Sequence, residues 1–123
     1  MIKAFRIDRD FVKLPYGPDA RAIIWPGVGA KHGTFNYFTL QPGESVPAHV
    51  HPYSEDLVYI VKGKALLIDE DKGKEYTAEP GWVFLIEPGT KHSARAVGNE
   101  PYVDVGGPCP PDVEFLRRAG LKW

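Results

Sequence analysis

Apolar residues along this chain come in short bursts separated by turns, and almost nowhere at helical spacing. Pro-Gly pairs stand at 26–27, 42–43, 80–81 and 88–89, and further breaks fall in "VKGK" (61–64), "DEDKGK" (69–74) and "VGNEP" (97–101). Proline presets φ for one central turn position and glycine accepts positive φ at the next, so each pair reads as a tight turn. Between the turns lie apolar or β-branched runs at 22–25, 35–40, 45–51, 56–62, 64–69, 74–78, 82–87, 92–97 and 102–105. Short strands at this regular spacing predict an all-β sandwich or barrel. One stretch departs from the pattern. "PPDVEFLRRAG" (110–120) offers Asp112 as an N-cap, Glu114 in the first turn, Arg117 and Arg118 in the last, and Gly120 to close the end. Two turns of helix do not stand alone, so this one is expected to dock on the barrel. "LPYGPD" (14–19) reads as a loop or edge segment.

The totals narrow the picture. The chain has 123 residues, which suits a single domain spanning 1–123 with a self-supporting core. Charged residues make up 25% and the net charge is −1. No basic stretch resembles a nucleic-acid footprint, so nucleic acid is not an expected partner. The longest apolar runs, "LVYIV" (57–61) and "WVFLI" (82–86), fall far short of the ~20 residues of a membrane span. "MIKAFRIDRDF" has no apolar core of signal-peptide length. The lone Cys109 excludes an internal disulfide. A cytoplasmic location with a small-molecule partner is the expectation.

The candidate chemistry sits in "HVHPYSED" (49–56). On a strand, residues i and i+2 share a face, so His49 and His51 could aim two imidazoles into one space. Glu55 and Asp56 follow at the entrance to "LVYIVK", and His92 comes just after the turn "EPGTK". Adjacent strand residues face opposite sides, so only one of the two acids can join the histidines. Three imidazoles and a carboxylate suit one divalent transition metal ion, Fe, Mn, Ni, Cu or Zn, with a position open to water or substrate. The absence of sulfur ligands argues against a structural zinc cage. Candidate pocket walls are the aromatics Tyr37, Phe38, Tyr53, Tyr59, Trp82 and Phe84. Tyr53, between the histidine pair and the acids, comes first, with Tyr37 and Phe84. Counted from His92, Ala94 and Ala96 share the inward face and Arg95 points out. His32 reads as an exposed loop residue and Cys109 as structural or incidental.

These residues together resemble the cupin superfamily. The first half of its signature reads here Gly43, five residues, His49-Val50-His51, four residues, Asp56, six residues, Gly63. The second half reads Gly81, five residues, Glu87-Pro88-Gly89, two residues, His92. The resemblance covers residues 35–105. Spacing to Gly63 selects Asp56 as the acid, whereas identity selects Glu55, since the family has Glu there. Glu87 replaces the usual Pro and Ala96 the usual Asn. The resemblance implies a double-stranded β-helix, or jelly-roll barrel, with the metal inside its open end, and frequent homodimers. It also implies a metalloenzyme acting on a small oxygenated molecule, a dioxygenase first and a sugar isomerase or epimerase next. The alternative is a non-catalytic cupin that binds or senses a small ligand.

Overall fold

In a computed structural model, which describes residues 1–123, the apolar runs form ten strands. They are β1 (Val12–Leu14), β2 (Asp19–Ile24), β3 (Phe35–Leu40), β4 (Ser45–His49), β5 (Glu55–Lys62), β6 (Lys64–Asp69), β7 (Lys74–Ala78), β8 (Val83–Ile86), β9 (His92–Val97) and β10 (Tyr102–Cys109). One turn of 3-10 helix (Pro26–Val28) follows β2, and a single α-helix, α1 (Val113–Arg118), follows β10. The strands pair in two sheets, ordered β1-β2-β3-β10-β5-β8 and β4-β9-β6-β7. Neighbours run antiparallel throughout. This is the jelly-roll double sheet, with a short C-terminal helix.

The two sheets close over a core in which Leu40, Ile60 and Tyr102 of the larger meet Val46, Ala65, Ala78, Ala94 and Ala96 of the smaller. Leu40 and Ile60 are fully buried, each contributing about 1.5–3 kcal/mol through its removal from water. The alanines keep the smaller sheet flat enough to approach. A second cluster joins Leu14, Ala20, Ala22 and Trp25 to Leu116 of α1, which is the docking surface that a two-turn helix needs. Asp112 caps α1, its Oδ1 accepting from the Phe115 N–H at 3.1 Å.

Strand ends shift by a few residues from the sequence pattern, β1 is not among its runs, and three differences bear on the site. "LPYGPD" splits: Leu14 ends the edge strand β1 and Asp19 opens β2. β4 stops at His49, so His51 lies beyond the strand rather than on it. β10 runs to Cys109, past Gly106 and Gly107, whose composition disguises a strand. Gly106 has φ 143°, and a Cβ there would lie 1.7 Å from the Leu57 carbonyl oxygen. Only glycine lets β10 pass β5 at that point. No helix is long and apolar enough to cross a membrane.

Candidate metal centre

His49 and His92 face each other directly in the β4–β9 ladder, with ring centroids 4.3 Å apart. His51 joins them from the loop after β4, its carbonyl accepting from the Gly89 N–H at 2.9 Å. It thus shares a space with His49 because the loop is pinned, not because of strand alternation. Alternation does decide between the acids on β5. Asp56 is buried on the inner face and Glu55 is exposed on the outer. One Asp56 oxygen lies 3.3 Å from Nε2 of His92 and 3.8 Å from Nε2 of His51.

The second nitrogen of each ring settles which atom faces the centre. Nδ1 of His49 lies 2.8 Å from the Pro47 carbonyl, and Nδ1 of His92 lies 2.9 Å from the Thr90 carbonyl. Nδ1 of His51 lies 2.9 Å from Oδ2 of Asp112. Carbonyl and carboxylate oxygens only accept, so each Nδ1 must donate. In the neutral ring that leaves a lone pair on Nε2. Nε2 of His92 is buried and has no hydrogen-bond partner; the Asp56 contact lacks the geometry of one. One donor atom from each of His49, His51, Asp56 and His92 lies within 4.8 Å of the others. Ligands bound at ~2.1 Å stand at most ~4.2 Å apart across an ion. A small inward shift therefore closes the cage, and the donor set fits a divalent transition metal.

The electrostatics agree with that set. Burial, reinforced by the neighbouring His92, holds His49 down to about 4, so its lone pair is free at neutral pH. Burial also pushes His92 down, but the Asp56 carboxylate and the Thr90 carbonyl outweigh it and the net direction is upward. The Asp56 carboxylate that favours a positive charge on His92 would equally favour a cation held between them.

The four donors line a cavity of about 80 Å³, several times the space that one water needs. Leu14, Phe38, Val46, Val58, Ile86 and Leu116 make its walls largely apolar. Of the aromatic walls expected from position along the chain, Phe38 lines the cavity, whereas Tyr53, Tyr37 and Phe84 do not. Tyr53 is 87% exposed, because the residue between the loop histidine and the strand acid is turned to solvent. Tyr37 lies on the outer face of β3 under the Arg21 guanidinium. Phe84 packs against the core on the far side and stacks with Trp82. Their places are taken by Tyr16, from the β1–β2 loop, and by Phe115 of α1, whose rings stack at 4.1 Å. Phe115 also meets the His51 ring at 4.7 Å. Asp112, read only as a helix cap, is in addition the partner of His51. Asp104, on the inner face of β10, lines the cavity too and was hidden in a segment that reads as an apolar strand. His32 and Cys109 line no part of it.

Comparison with known proteins fits this geometry. The family model described as Cupin domain matches residues 36–105, and the chain belongs to that family. Among curated relatives, the tetracenomycin polyketide synthase protein TcmJ of Streptomyces glaucescens is 34% identical over 86 residues, covering 69% of this chain and 56% of that one. Polyketide synthase CurC of Streptomyces cyaneus is 36% identical over 85 residues, covering 68% and 54%. The chain thus spans a little over half the length of these relatives. In solved structures the fold recurs in the polyketide cyclase RemF from Streptomyces resistomycificus (TM-score 0.73, 24% identity, 90% of this chain and 83% of that one). It recurs also in a Cupin 2 conserved barrel domain protein from Salinispora arenicola (TM-score 0.68, 21% identity, 98% and 97%).

Proposed function

We propose that this chain is a metal-dependent cupin that binds and converts a small oxygen-rich molecule of the polycarbonyl or polyphenol type. The observation that carries the reading is the convergence of three Nε2 lone pairs and the Asp56 carboxylate at one end of an apolar cavity. A divalent ion held there supplies Lewis acidity toward a carbonyl or enol oxygen. The chain does the rest. The Asp112 carboxylate and two backbone carbonyls fix the rings, and the apolar walls exclude water, which strengthens every charge interaction inside. The names of TcmJ and CurC support a substrate of polyketide type. A dioxygenase is the first reaction class and an isomerase or epimerase the second. We place the working form as a homodimer, built on the exposed outer face of β5 and β8.

The test starts from protein purified without added metal. Elemental analysis is expected to find one transition metal ion per chain, lost in His49→Ala and His92→Ala while circular dichroism shows the barrel intact. Unchanged stoichiometry in both variants would overturn the assignment. The loaded protein is then given catechols, diketones and 2-oxo acids in an oxygen electrode. Oxygen consumption identifies the dioxygenase; product without oxygen uptake identifies the isomerase. Binding without product in either arm removes the enzymatic reading and leaves a ligand-binding cupin.

A further inference from the structure

The cavity has a second polar feature, away from the histidines. Along β10, Tyr102 and Asp104 take alternate positions on the inner face, Tyr102 in the core and Asp104 at the cavity wall. The Tyr102 hydroxyl donates to Oδ2 of Asp104 at 2.5 Å. That bond occupies one carboxyl oxygen, and no Arg, Lys or His forms an ion pair with the other. The neighbours across the ladders are apolar, Phe38 on β3 and Ile60 on β5. Burial first, and then the charge of Asp56, pushes the Asp104 carboxyl up to about 7, against the opposing pull of the Tyr102 hydrogen bond. A carboxyl so placed is costly unless its free oxygen finds a partner. The fold provides none, and the open side of Asp104 is the cavity.

Its position along the wall sets what that partner can be. Pro108 faces Asp56 in the β10–β5 ladder. Asp104 stands four residues further along, a backbone span of at most ~13 Å, and its carboxyl is still near enough to feel the charge of Asp56. A molecule bound to the histidine end by one edge brings its far edge, not its middle, to Asp104.

We propose that Asp104, oriented by Tyr102, is a second ligand-anchoring residue, whose free carboxyl oxygen hydrogen-bonds a hydroxyl at the end of the ligand remote from the histidines. The inference rests on the metal-centred reading above and narrows its substrate class to ring compounds with a chelating hydroxy-ketone edge and a distal hydroxyl. Kojic acid and allomaltol are suited as probes. They are hydroxypyranones with the same chelating edge, and kojic acid carries a distal hydroxymethyl group where allomaltol carries a methyl.

Titration calorimetry of the zinc-loaded protein with each probe tests the proposal. Wild type is expected to prefer kojic acid by about tenfold. Asp104→Leu should bring that preference to about one while leaving allomaltol affinity within a factor of two. Asp104→Asn, whose amide oxygen still accepts from a hydroxyl, should keep most of it, and Tyr102→Phe should reduce it by loosening the carboxyl. Absence of discrimination in the wild type, or the same discrimination in Asp104→Leu, overturns the anchor, and the first of these needs no variant to fold. Failure of both probes to bind the zinc-loaded wild type overturns the metal-centred reading and the anchor with it. Binding of both without discrimination overturns the anchor alone.

Discussion

Replacing Asp104 by Asn removes a titrating carboxyl from the barrel interior and changes its shape little. The carboxyl moves from about 3.8 in the unfolded chain to about 7 in the fold, chiefly through burial. The folded state therefore binds the proton more tightly than the unfolded one. For such an acid the stabilising contribution is complete below the unfolded pKa and is lost as pH rises through the folded one. At 1.36 kcal/mol per unit, the full loss above pH 8 is about 4 kcal/mol at most. Between pH 5 and pH 8.5 the same linkage gives about 3 kcal/mol. Asp104→Asn does not ionise, so its stability should rise relative to wild type by up to that amount across this interval. Groups not coupled to Asp104, His49 included, titrate alike in both proteins and cancel. Urea unfolding of metal-stripped wild type and variant at the two pH values measures the difference directly. An offset between the proteins that is the same at pH 5 and pH 8.5 would refute the reasoning, because it would mean that Asp104 ionises in the fold as freely as in water.

Asp56→Ala is expected to weaken zinc affinity by at least tenfold and Glu55→Ala by less than twofold, since one carboxylate lies inside and the other outside; competition with a chromogenic chelator reads both, and the reverse order would place the wrong acid in the site. Asp112→Ala should cost about 1 kcal/mol of stability as a lost N-cap and 10–100-fold in metal affinity as a lost histidine partner; an effect on stability with unchanged zinc binding would reduce Asp112 to a cap. The outer face of β5 and β8 leaves Leu57, Tyr59, Val61, Val83 and Leu85 exposed, a contiguous apolar patch of a kind rarely left bare on a monomer. Light scattering on a sizing column should find a dimer in the wild type and a monomer in Leu57→Glu/Leu85→Glu; a wild-type monomer would dismiss the homodimer.

What was legible in the sequence was local. The turns are written in Pro-Gly pairs, and the strands between them emerge with ends shifted by a few residues. His49, His51, Asp56 and His92 fall at spacings that a short motif can carry, and alternation on β5 is enough to sort Asp56 from Glu55. The aromatic wall was not local. Tyr53 is adjacent to the histidines in sequence, but it lies in a loop that the Ser54 hydroxyl ties to the Pro110 carbonyl at 2.7 Å, and its ring faces solvent. Phe115 lies 64 positions from His51 and reaches it only because Leu116 docks on Leu14, Ala20, Ala22 and Trp25. Asp104 was masked for a different reason. In "YVDVGG" the valines look like the buried set, and Val103 is buried, yet Tyr102 in the core and Asp104 at the cavity wall belong to the other parity. No rule of alternation tells which parity is inside when an acid occupies one and valines the other.

Asp112 shows how the distant and the local parts of this site depend on each other. Its two carboxylate oxygens do separate things: Oδ1 accepts from the first turn of α1 and Oδ2 from Nδ1 of His51. A helix of six residues cannot hold itself together, so its position rests on this cap and on Leu116. The ring orientation of His51, which no strand holds, rests on the same carboxylate. Ordering the helix therefore orders a donor to the metal, and a metal that draws on Nε2 of His51 strengthens the bond from Nδ1 to the helix cap. The segment that closes the cavity with Phe115 is in this way fastened to the chemistry it covers, through one residue that the sequence presents only as the start of a helix.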